Sequence, residues 1–286
     1  MCNLVHAAKR KVIEGLATGD LKFALHVTSS KTAGDFLHTK LTIKGNHTFR
    51  YFTIHTRKHL GLPVTDRLCF QANCDGVEVT PNESHAHHVP GRVTNRHELQ
   101  KFAWFERWKK WDTSAACNHE WGLETPMTTL GFSLRPHFVA PEGREGGKVC
   151  DIWQRNKSSN HVIAYDVVCV HPDKSKPEEW QACYAAERAA QRKKELYAWF
   201  VARESDLIPL ATDTYGGFAK STWLCMHRQA AAAANNDVVL QGKLVRRARD
   251  QIATAIVLGQ GRLIDEWNRK NRLAKGCAVT GTRHQQ

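Results

Sequence analysis

The pattern of apolar and polar positions is clearest between residues 96 and 111. Apolar side chains recur there every three or four residues, which is the spacing of one face of an α-helix. The stripe comprises Leu99, Phe102, Ala103, Trp104, Trp108 and Trp111. We predict a helix over 96–111 that packs this stripe into a core. Stacking of the tryptophans on unpaired bases is the alternative interpretation.

Four short apolar runs follow and predict a small sheet. They cover residues 131–138, 147–154, 161–171 and 207–212. The third run contains VIAYDVVCV, which is nearly continuously apolar and suits a strand covered on both faces. Ser175-Lys-Pro-Glu178 resembles a capping box and predicts a helix from there to about Ala202. The predicted fold class is α/β, a small mixed β-sheet flanked by helices.

Composition divides the chain into five segments. Residues 1–66 mix helical and extended patterns, and residues 67–95 are polar, turn-rich and carry clustered Cys and His. Residues 96–215 form the predicted α/β core, 216–275 have helical patterns, and 276–286 are a polar tail.

Charge and cysteine content narrow the class of protein. The 286 residues include 41 Lys and Arg against 28 Asp and Glu, a formal net charge of +13. This excess favours a polyanionic partner, DNA or alternatively RNA. No apolar run has the length of a membrane helix, and the first residues lack a signal-peptide stretch. Nine irregularly spaced cysteines favour reduced thiols, and we expect an intracellular, non-secreted protein, nuclear in a eukaryote.

A Cys/His cluster lies within residues 67–95. Cys69 and Cys74 are separated by four residues, and His85, His87 and His88 follow. Thiolates and imidazoles at such spacing are typical ligands of structural Zn²⁺, which would supply folding energy to a loop with few large apolar residues. We predict Cys69, Cys74, His85 and His88 as the ligands, with His87 competing for either His position. Chance proximity of these side chains is the alternative.

Two acids stand alone in apolar strands. Asp151 lies in KVCDIW and Asp166 in AYDVVCV, and burying an unpaired carboxylate is costly. A shared Mg²⁺ would relieve that cost and would activate water for attack on a phosphodiester. Lys193 falls on the apolar face of the following helix, where it would neutralise developing charge on a phosphate. The alternative is a structural ion pair between Lys193 and an inward acid.

Further polar residues are candidates for supporting roles. Glu98 is a candidate water-positioning acid or metal ligand, or simply an acid favoured in a first helical turn. Basic residues on the predicted helices are candidate phosphate contacts, with a solvated basic face as the alternative; they are Lys101, Lys109, Lys110, Arg246 and Arg247.

An ordered set of motifs spans residues 45–260. HLGLPV occupies 59–64 and is followed by the Cys/Cys/His cluster, an Arg-His helix start at 96–97, and the two strands that carry Asp151 and Asp166. An Ala-rich helix then ends in Lys193-x-x-x-Tyr197, and PLATDTYG occupies 209–216. This order resembles the zinc-knuckle and restriction-like endonuclease region of non-LTR retrotransposon, or reverse-transcriptase, polyproteins.

The resemblance implies a nuclease fold of the PD-(D/E)xK class and cleavage of target DNA that primes reverse transcription. By position it implies that Asp151 and Asp166 bind the catalytic metal and that Lys193 is a catalytic lysine. Arg96 and His97 would support the site or contact DNA.

The sequence departs from the family pattern at several positions. Cys150 stands in place of a proline, and Val168 stands where the wider class often has its lysine, so catalysis would depend on Lys193 or its neighbour Lys194. The fourth knuckle ligand, usually a cysteine, would be His88 or would be absent, and a polymerase signature of paired aspartates is missing from the sequence.

Two classes of function follow. The first is a Mg²⁺-dependent DNA endonuclease domain of retroelement type, a phosphodiester hydrolase. The second is a non-catalytic, zinc-stapled basic module that binds nucleic acid, or an inactive retroelement remnant.

Overall fold

The computed structural model describes residues 19–28, 46–60, 62, 64, 68–69, 77–78, 94–112, 118–132, 148–173, 176–198 and 206–281. The helices are α1 (Gly19–Val27), α2 (Asn46–His59), α3 (Thr94–Trp111), α4 (Tyr184–Tyr197), α5 (Lys220–Ala233) and α6 (Val238–Gly281), with a 3₁₀ turn at Pro177–Trp180. The strands are β1 (Leu68–Cys69), β2 (Val77–Glu78), β3 (His119–Pro126), β4 (Val149–Asn156), β5 (Val162–Val170) and β6 (Leu207–Asp213).

Four strands form one mixed sheet in the order β3-β4-β5-β6. The first three are antiparallel neighbours, and β6 lies parallel to β5. Parallel neighbours need a crossover, and α4 lies within the connection between β5 and β6. The predicted class, a mixed sheet flanked by helices, is therefore confirmed.

Each face of the sheet packs against different helices. On one face, α4 brings Ala186, Ala189 and Ala190 against β5 and β6. On the other face, α3, α5 and α6 build the main core around Trp108 and Tyr165, whose ring centroids are 4.5 Å apart. Because strand side chains alternate between faces, neighbouring residues of β5 contribute to different environments.

The tryptophan stripe of α3 lies in this core. Trp104, Trp108 and Trp111 are all buried, which confirms that they pack in the core and excludes these indole faces as stacking platforms for bases. Phe102, predicted on the same stripe, is instead 48% exposed, so the prediction is wrong at that position. Helix α6 crosses α3 closely at Gly259, where a Cβ atom would lie 2.9 Å from the Arg96 Cα. The first turn of α3 is thus fixed against α6.

Four sequence-predicted elements are confirmed and two are wrong. Helix 96–111 and the strands predicted at 147–154, 161–171 and 207–212 agree with α3, β4, β5 and β6. The strand predicted at 131–138 is incorrect where it is described, because Gly131 ends a turn. The partner of β4 is instead β3, an edge strand whose exposed positions give it a weak apolar pattern.

The helix predicted from Ser175 begins later than expected. Pro177–Trp180 forms a 3₁₀ turn, and α4 starts only after Cys183, whose φ of 66° is left-handed. A left-handed residue cannot continue a right-handed helix, so the single predicted helix is two elements. Ser175 and residues 199–205 lie outside the described residues.

The predicted zinc segment is described only at β1 and β2, which pair Cys69 with Val77 in a short antiparallel ladder. Cys74, His85, His87 and His88 lie outside the described residues, so the zinc ligands remain a prediction. Across the ranges that the structure describes, none of the helices has the length and apolarity needed to cross a membrane.

Candidate active site

The two isolated acids meet where β4 and β5 separate. Backbone pairing of these strands ends at Ile152 and Tyr165, so the next residues, Asp151 and Asp166, stand opposite each other beyond the ladder. The Oδ2 atom of Asp151 accepts a 2.7 Å hydrogen bond from the backbone N–H of Val167. This bond ties the carboxylate of Asp151 to β5 at the opening between the strands.

Lys193 reaches the same point from α4. Its Nζ atom lies 2.8 Å from Oδ1 and 3.0 Å from Oδ2 of Asp166. The Asp166 side chain is 4% exposed, whereas that of Lys193 is 28% exposed. Tyr197, one helical turn further along α4, also hydrogen-bonds Asp166. The lysine on the apolar face of α4 therefore has a buried acid as its partner.

The ring of His97 bridges two acids at the first turn of α3. Its Nε2 atom lies 3.1 Å from Asp151 Oδ2, and its Nδ1 atom lies 3.4 Å from Glu98 Oε1. Both ring nitrogens can donate only in the imidazolium form. The hydrogen bond to Asp151 accordingly raises the pKa of His97, although burial opposes this shift.

The environments of the two aspartates shift their pKa values in opposite directions. Burial opposes ionisation of Asp151, but the hydrogen bond and charge of His97, with the Val167 amide, hold its pKa below the ordinary value. Burial raises the pKa of Asp166, and the charge of Asp151 adds to this, against the effect of Lys193. Paired carboxyls of unequal acidity are a recurring feature of acid–base sites.

An open cleft of about 240 Å³ joins these groups. Arg96 lies at its edge, is buried, and donates a 2.7 Å hydrogen bond to the Cys169 carbonyl. The cleft is lined by Arg96, His97, Val149, Asp151, Asp166, Val167, Val168, Cys169, Lys193 and Tyr197.

The carboxylate oxygens of Asp151 and Asp166 are the kind of ligand that commonly holds Mg²⁺ in phosphoryl-transfer sites. In the described part of the chain, the His, Cys, Asp and Glu side chains form no group of three or more placed to hold a metal ion. Magnesium, however, is commonly bound by one or two carboxylates, with water and substrate phosphate as the other ligands. Both hydrogen bonds of Asp151 use Oδ2, so within the described chain Oδ1 makes none.

Two of the predicted site residues, Lys101 and Glu98, form ion pairs within the protein. Lys101 is 1% exposed and forms ion pairs with Glu98 and Glu124, so its prediction as a nucleic-acid contact is wrong. Burial of a lysine with two acids is not visible from its helical position alone. Glu98 does not line the cleft and is connected to it only through His97.

The remaining predicted nucleic-acid contacts lie in two other places. Lys109 and Lys110 are exposed near the end of α3, about 18 Å along the helix from His97 at 1.5 Å per residue. Arg246 and Arg247 are exposed on α6, close to that end because Arg107 of α3 hydrogen-bonds Gln251 of α6. Lys194, next to Lys193 on α4, lines a different cavity.

Sequence reasoning missed part of the support of this site. The Val167 amide and the Gln260 side chain, whose Oε1 lies 3.5 Å from an Arg96 guanidinium nitrogen, have no signal in the sequence. The hydrogen bond of Tyr197 to Asp166 had a detectable signal, because Tyr197 is four residues after Lys193 on the same helical face.

Comparisons of the chain with protein-family models, with curated proteins and with solved structures give no significant match. Function is therefore inferred from the site and its chemistry.

Proposed function

We propose that the chain is a Mg²⁺-dependent DNA endonuclease of the retroelement type. The observation that carries the proposal is the convergence of Asp151, Asp166 and Lys193, from three different elements, on one open cleft. The mixed sheet flanked by helices is compatible with the PD-(D/E)xK class, and the motif order resembles the endonuclease region of non-LTR retrotransposons. A zinc knuckle formed by residues 69–88 would accompany this domain.

In this proposal Asp151 and Asp166 hold the metal ion. A bound Mg²⁺ would lower the pKa of a ligand water and stabilise charge on the phosphoryl oxygens. The water oxygen bonds to phosphorus as the bond from phosphorus to the leaving oxygen breaks. The attacking water loses one proton, and the leaving oxygen gains one.

Three further side chains have distinct roles. Lys193 would leave Asp166 and contact an incoming phosphate oxygen, because its side chain is part-exposed at the cleft. His97 fixes the orientation of Asp151 through its Nε2 atom. Arg96 holds the α3 turn against the Cys169 carbonyl of β5 and thereby keeps His97 at the cleft.

Nicking of supercoiled plasmid DNA tests the proposal. We expect Mg²⁺-dependent nicking by the wild type and a loss of at least about 100-fold in Asp151→Asn, Asp166→Asn and Lys193→Met, the scale of removing a key stabilising group. Glu106→Gln, which alters an exposed acid of α3, is the matched control and should retain full activity.

Folding of each variant is checked by near-ultraviolet circular dichroism, since the buried tryptophans of α3 report on core packing. Equal nicking by wild type and all three cleft variants would refute an active site at this cleft.

A non-catalytic nucleic-acid-binding module is the second candidate. It is favoured by the contact of Lys193 with both oxygens of Asp166, which is the geometry of a structural ion pair. It is also favoured by basic residues that lie away from the cleft, at Lys109, Lys110, Arg246 and Arg247. It predicts salt-sensitive binding without cleavage, and replacing two of these residues by Gln should lower the slope of log affinity against log salt by about 1 per lost phosphate contact.

A further inference from the structure

A second and larger cavity opens beside α5, mainly on the face of the sheet opposite α4, and reaches Lys194 of α4 where β6 begins. Its volume is about 580 Å³, within the range of roughly 300–1,000 Å³ of small-molecule sites. Tyr165 lines it, whereas the next residue, Asp166, lines the acidic cleft. Alternation of side chains along β5 therefore separates two cavities of different chemistry.

Three polar side chains form a hydrogen-bonded group in the wall of this cavity. The Tyr165 hydroxyl donates to Gln154 Oε1 at 2.7 Å. Gln229 Nε2 lies 3.1 Å from the same oxygen and 3.0 Å from the Tyr165 hydroxyl. Within the described chain, the Gln154 Nε2 and Gln229 Oε1 atoms make no hydrogen bond. Gln154 and Gln229 thus bring one amide donor and one amide acceptor to the wall of the cavity.

Cationic and imidazole groups surround the same cavity. Arg228 and Lys194 line it and form no ion pair among the described residues. His119 and His161 also line it, and each bonds an aspartate outside it, Asp112 at 3.0 Å and Asp206 at 3.1 Å. No Asp or Glu of the described chain lines the cavity, so its polar groups favour an anion.

The remaining walls are apolar and come from two strands and a helix. Helix α5 presents Cys225 and Gln229 in one row and Leu224 and Arg228 in the next, at a spacing of four residues. The apolar lining comprises Ile163, Leu207, Ile208, Pro209, Leu224 and Ala232. A flat or branched apolar body would fill this space while its anionic end contacted Arg228 or Lys194.

We propose that this second cavity binds a single nucleotide. The amides of Gln154 and Gln229 would read the edge of the base, as glutamine amides do when they pair with bases. The apolar walls would cover the ring faces, and Arg228 with Lys194 would bind the phosphate. A fatty or aromatic carboxylate would suit the walls and the cations but would make no use of the two amides.

Two sources share this chemistry, a free mononucleotide and an unpaired nucleotide within a DNA or RNA strand. Binding at this cavity does not depend on catalysis in the acidic cleft, since the two share no lining residue in the described chain. Calorimetric titration of the full chain in EDTA, with AMP, GMP, CMP and UMP and with the corresponding nucleosides, measures it without a metal in the cleft.

Two variants separate the two halves of the cavity. Arg228→Gln should weaken binding of the best mononucleotide at least about tenfold and leave nucleoside binding unchanged. Gln229→Leu should weaken both by a similar factor. Arg192→Gln, which alters an exposed arginine of α4 outside the cavity, is the control of equal charge and should bind as the wild type does.

The results distinguish a free nucleotide from a nucleotide within a strand, and they test whether binding occurs at this cavity. Competition of a single-stranded 12-mer with the mononucleotide, lost in Arg228→Gln, would indicate a strand as the source, and a lack of competition would indicate a free nucleotide. The proposal is overturned if none of the four mononucleotides binds at millimolar concentration. It is also overturned if Arg228→Gln binds like Arg192→Gln, or if Asp151→Asn weakens binding as strongly as Arg228→Gln does.

Discussion

Replacing Lys193 by methionine is the most informative single change at the acidic cleft. The variant keeps the length and apolar stem of the side chain but removes the charge that faces Asp166. Asp166 is 4% exposed and has Lys193 at 2.8 and 3.0 Å from its two oxygens. Lys193→Met therefore leaves a buried carboxylate with the Tyr197 hydroxyl as a partner but without its cation.

The expected loss of stability can be bounded from these contacts. Removal of one partner from a buried pair costs about 3–5 kcal/mol, but Lys193 is 28% exposed, so solvent already weakens this pair. Asp166 can also limit the loss by taking up a proton, because burial already raises its pKa. We expect Lys193→Met to lower the free energy of unfolding by about 2–3 kcal/mol at neutral pH.

A double-mutant cycle isolates the pair. Asp166→Asn should cost less than Lys193→Met, because the lysine left behind can turn towards water. The double variant should be more stable than the sum of the two single losses by about 1–2 kcal/mol, measured by urea unfolding in EDTA. Lys194→Met, whose lysine makes no ion pair in the described chain, is the control and should remain within about 0.5 kcal/mol of wild type.

Magnesium distinguishes a metal site from a purely structural ion pair. In Lys193→Met the cation would take the place of the lost ammonium group, and a concentration 100 times its dissociation constant would restore about 2.7 kcal/mol. No restoration is expected in the double variant, which lacks the Asp166 charge. A stability of Lys193→Met that is unchanged by Mg²⁺ up to tens of millimolar would refute metal binding by this pair of acids.

Three further changes test the site and the fold. His97→Gln should lower stability most below the unfolded pKa of about 6.5. Because the pKa of His97 is raised in the folded state, the stabilisation by His97 is lost as pH rises through that higher value. Urea unfolding should therefore show a smaller stability difference between wild type and variant at pH 8.5 than at pH 5.5. Trp108→Ala should cost about 3–5 kcal/mol because the side chain is 1% exposed, whereas Phe102→Ala on the exposed side of the same helix should change thermal stability by no more than about 1 kcal/mol. Gly259→Ala should cost about 1–3 kcal/mol, since its Cβ would lie 2.9 Å from the backbone of α3. Gly242→Ala in the same helix meets nothing within 4 Å and should stabilise the protein by about 0.5–1 kcal/mol. Chemical denaturation should therefore show changes in the free energy of unfolding of opposite sign for the two variants.

The convergence of the cleft residues could be predicted because each one breaks an apolar pattern. Asp151 and Asp166 are single acids in apolar strands, and Lys193 is a single cation on an apolar helical face. Charges at such positions need partners because their burial alone is unfavourable. Periodicity located the elements, and the need for partners indicated that these three side chains would meet.

Other features depend on contacts that a local pattern does not contain. Lys101 lies on the same helix as the exposed Lys109 and Lys110, but it pairs with Glu124, an acid of β3 at the sheet edge. Strand β3 itself was missed because an edge strand alternates between exposed and half-buried positions. The second cavity was missed because it is assembled from strands β3 to β6 and helices α4 and α5, which have no shared sequence signal.

The charge of the cleft differs from that of the chain. The protein carries a net charge of +13, but among the described residues that line the cleft the carboxylates of Asp151 and Asp166 are matched by Lys193 and Arg96, with His97 as a titratable fifth group. A phosphate therefore gains little attraction at this cleft until a divalent cation or the imidazolium form of His97 adds positive charge. In the proposed function, the exposed basic residues near the far end of α3 would attract a nucleic acid irrespective of that state. Binding of nucleic acid should accordingly depend on salt and be insensitive to Mg²⁺, whereas cleavage should require the cation and fall with its removal.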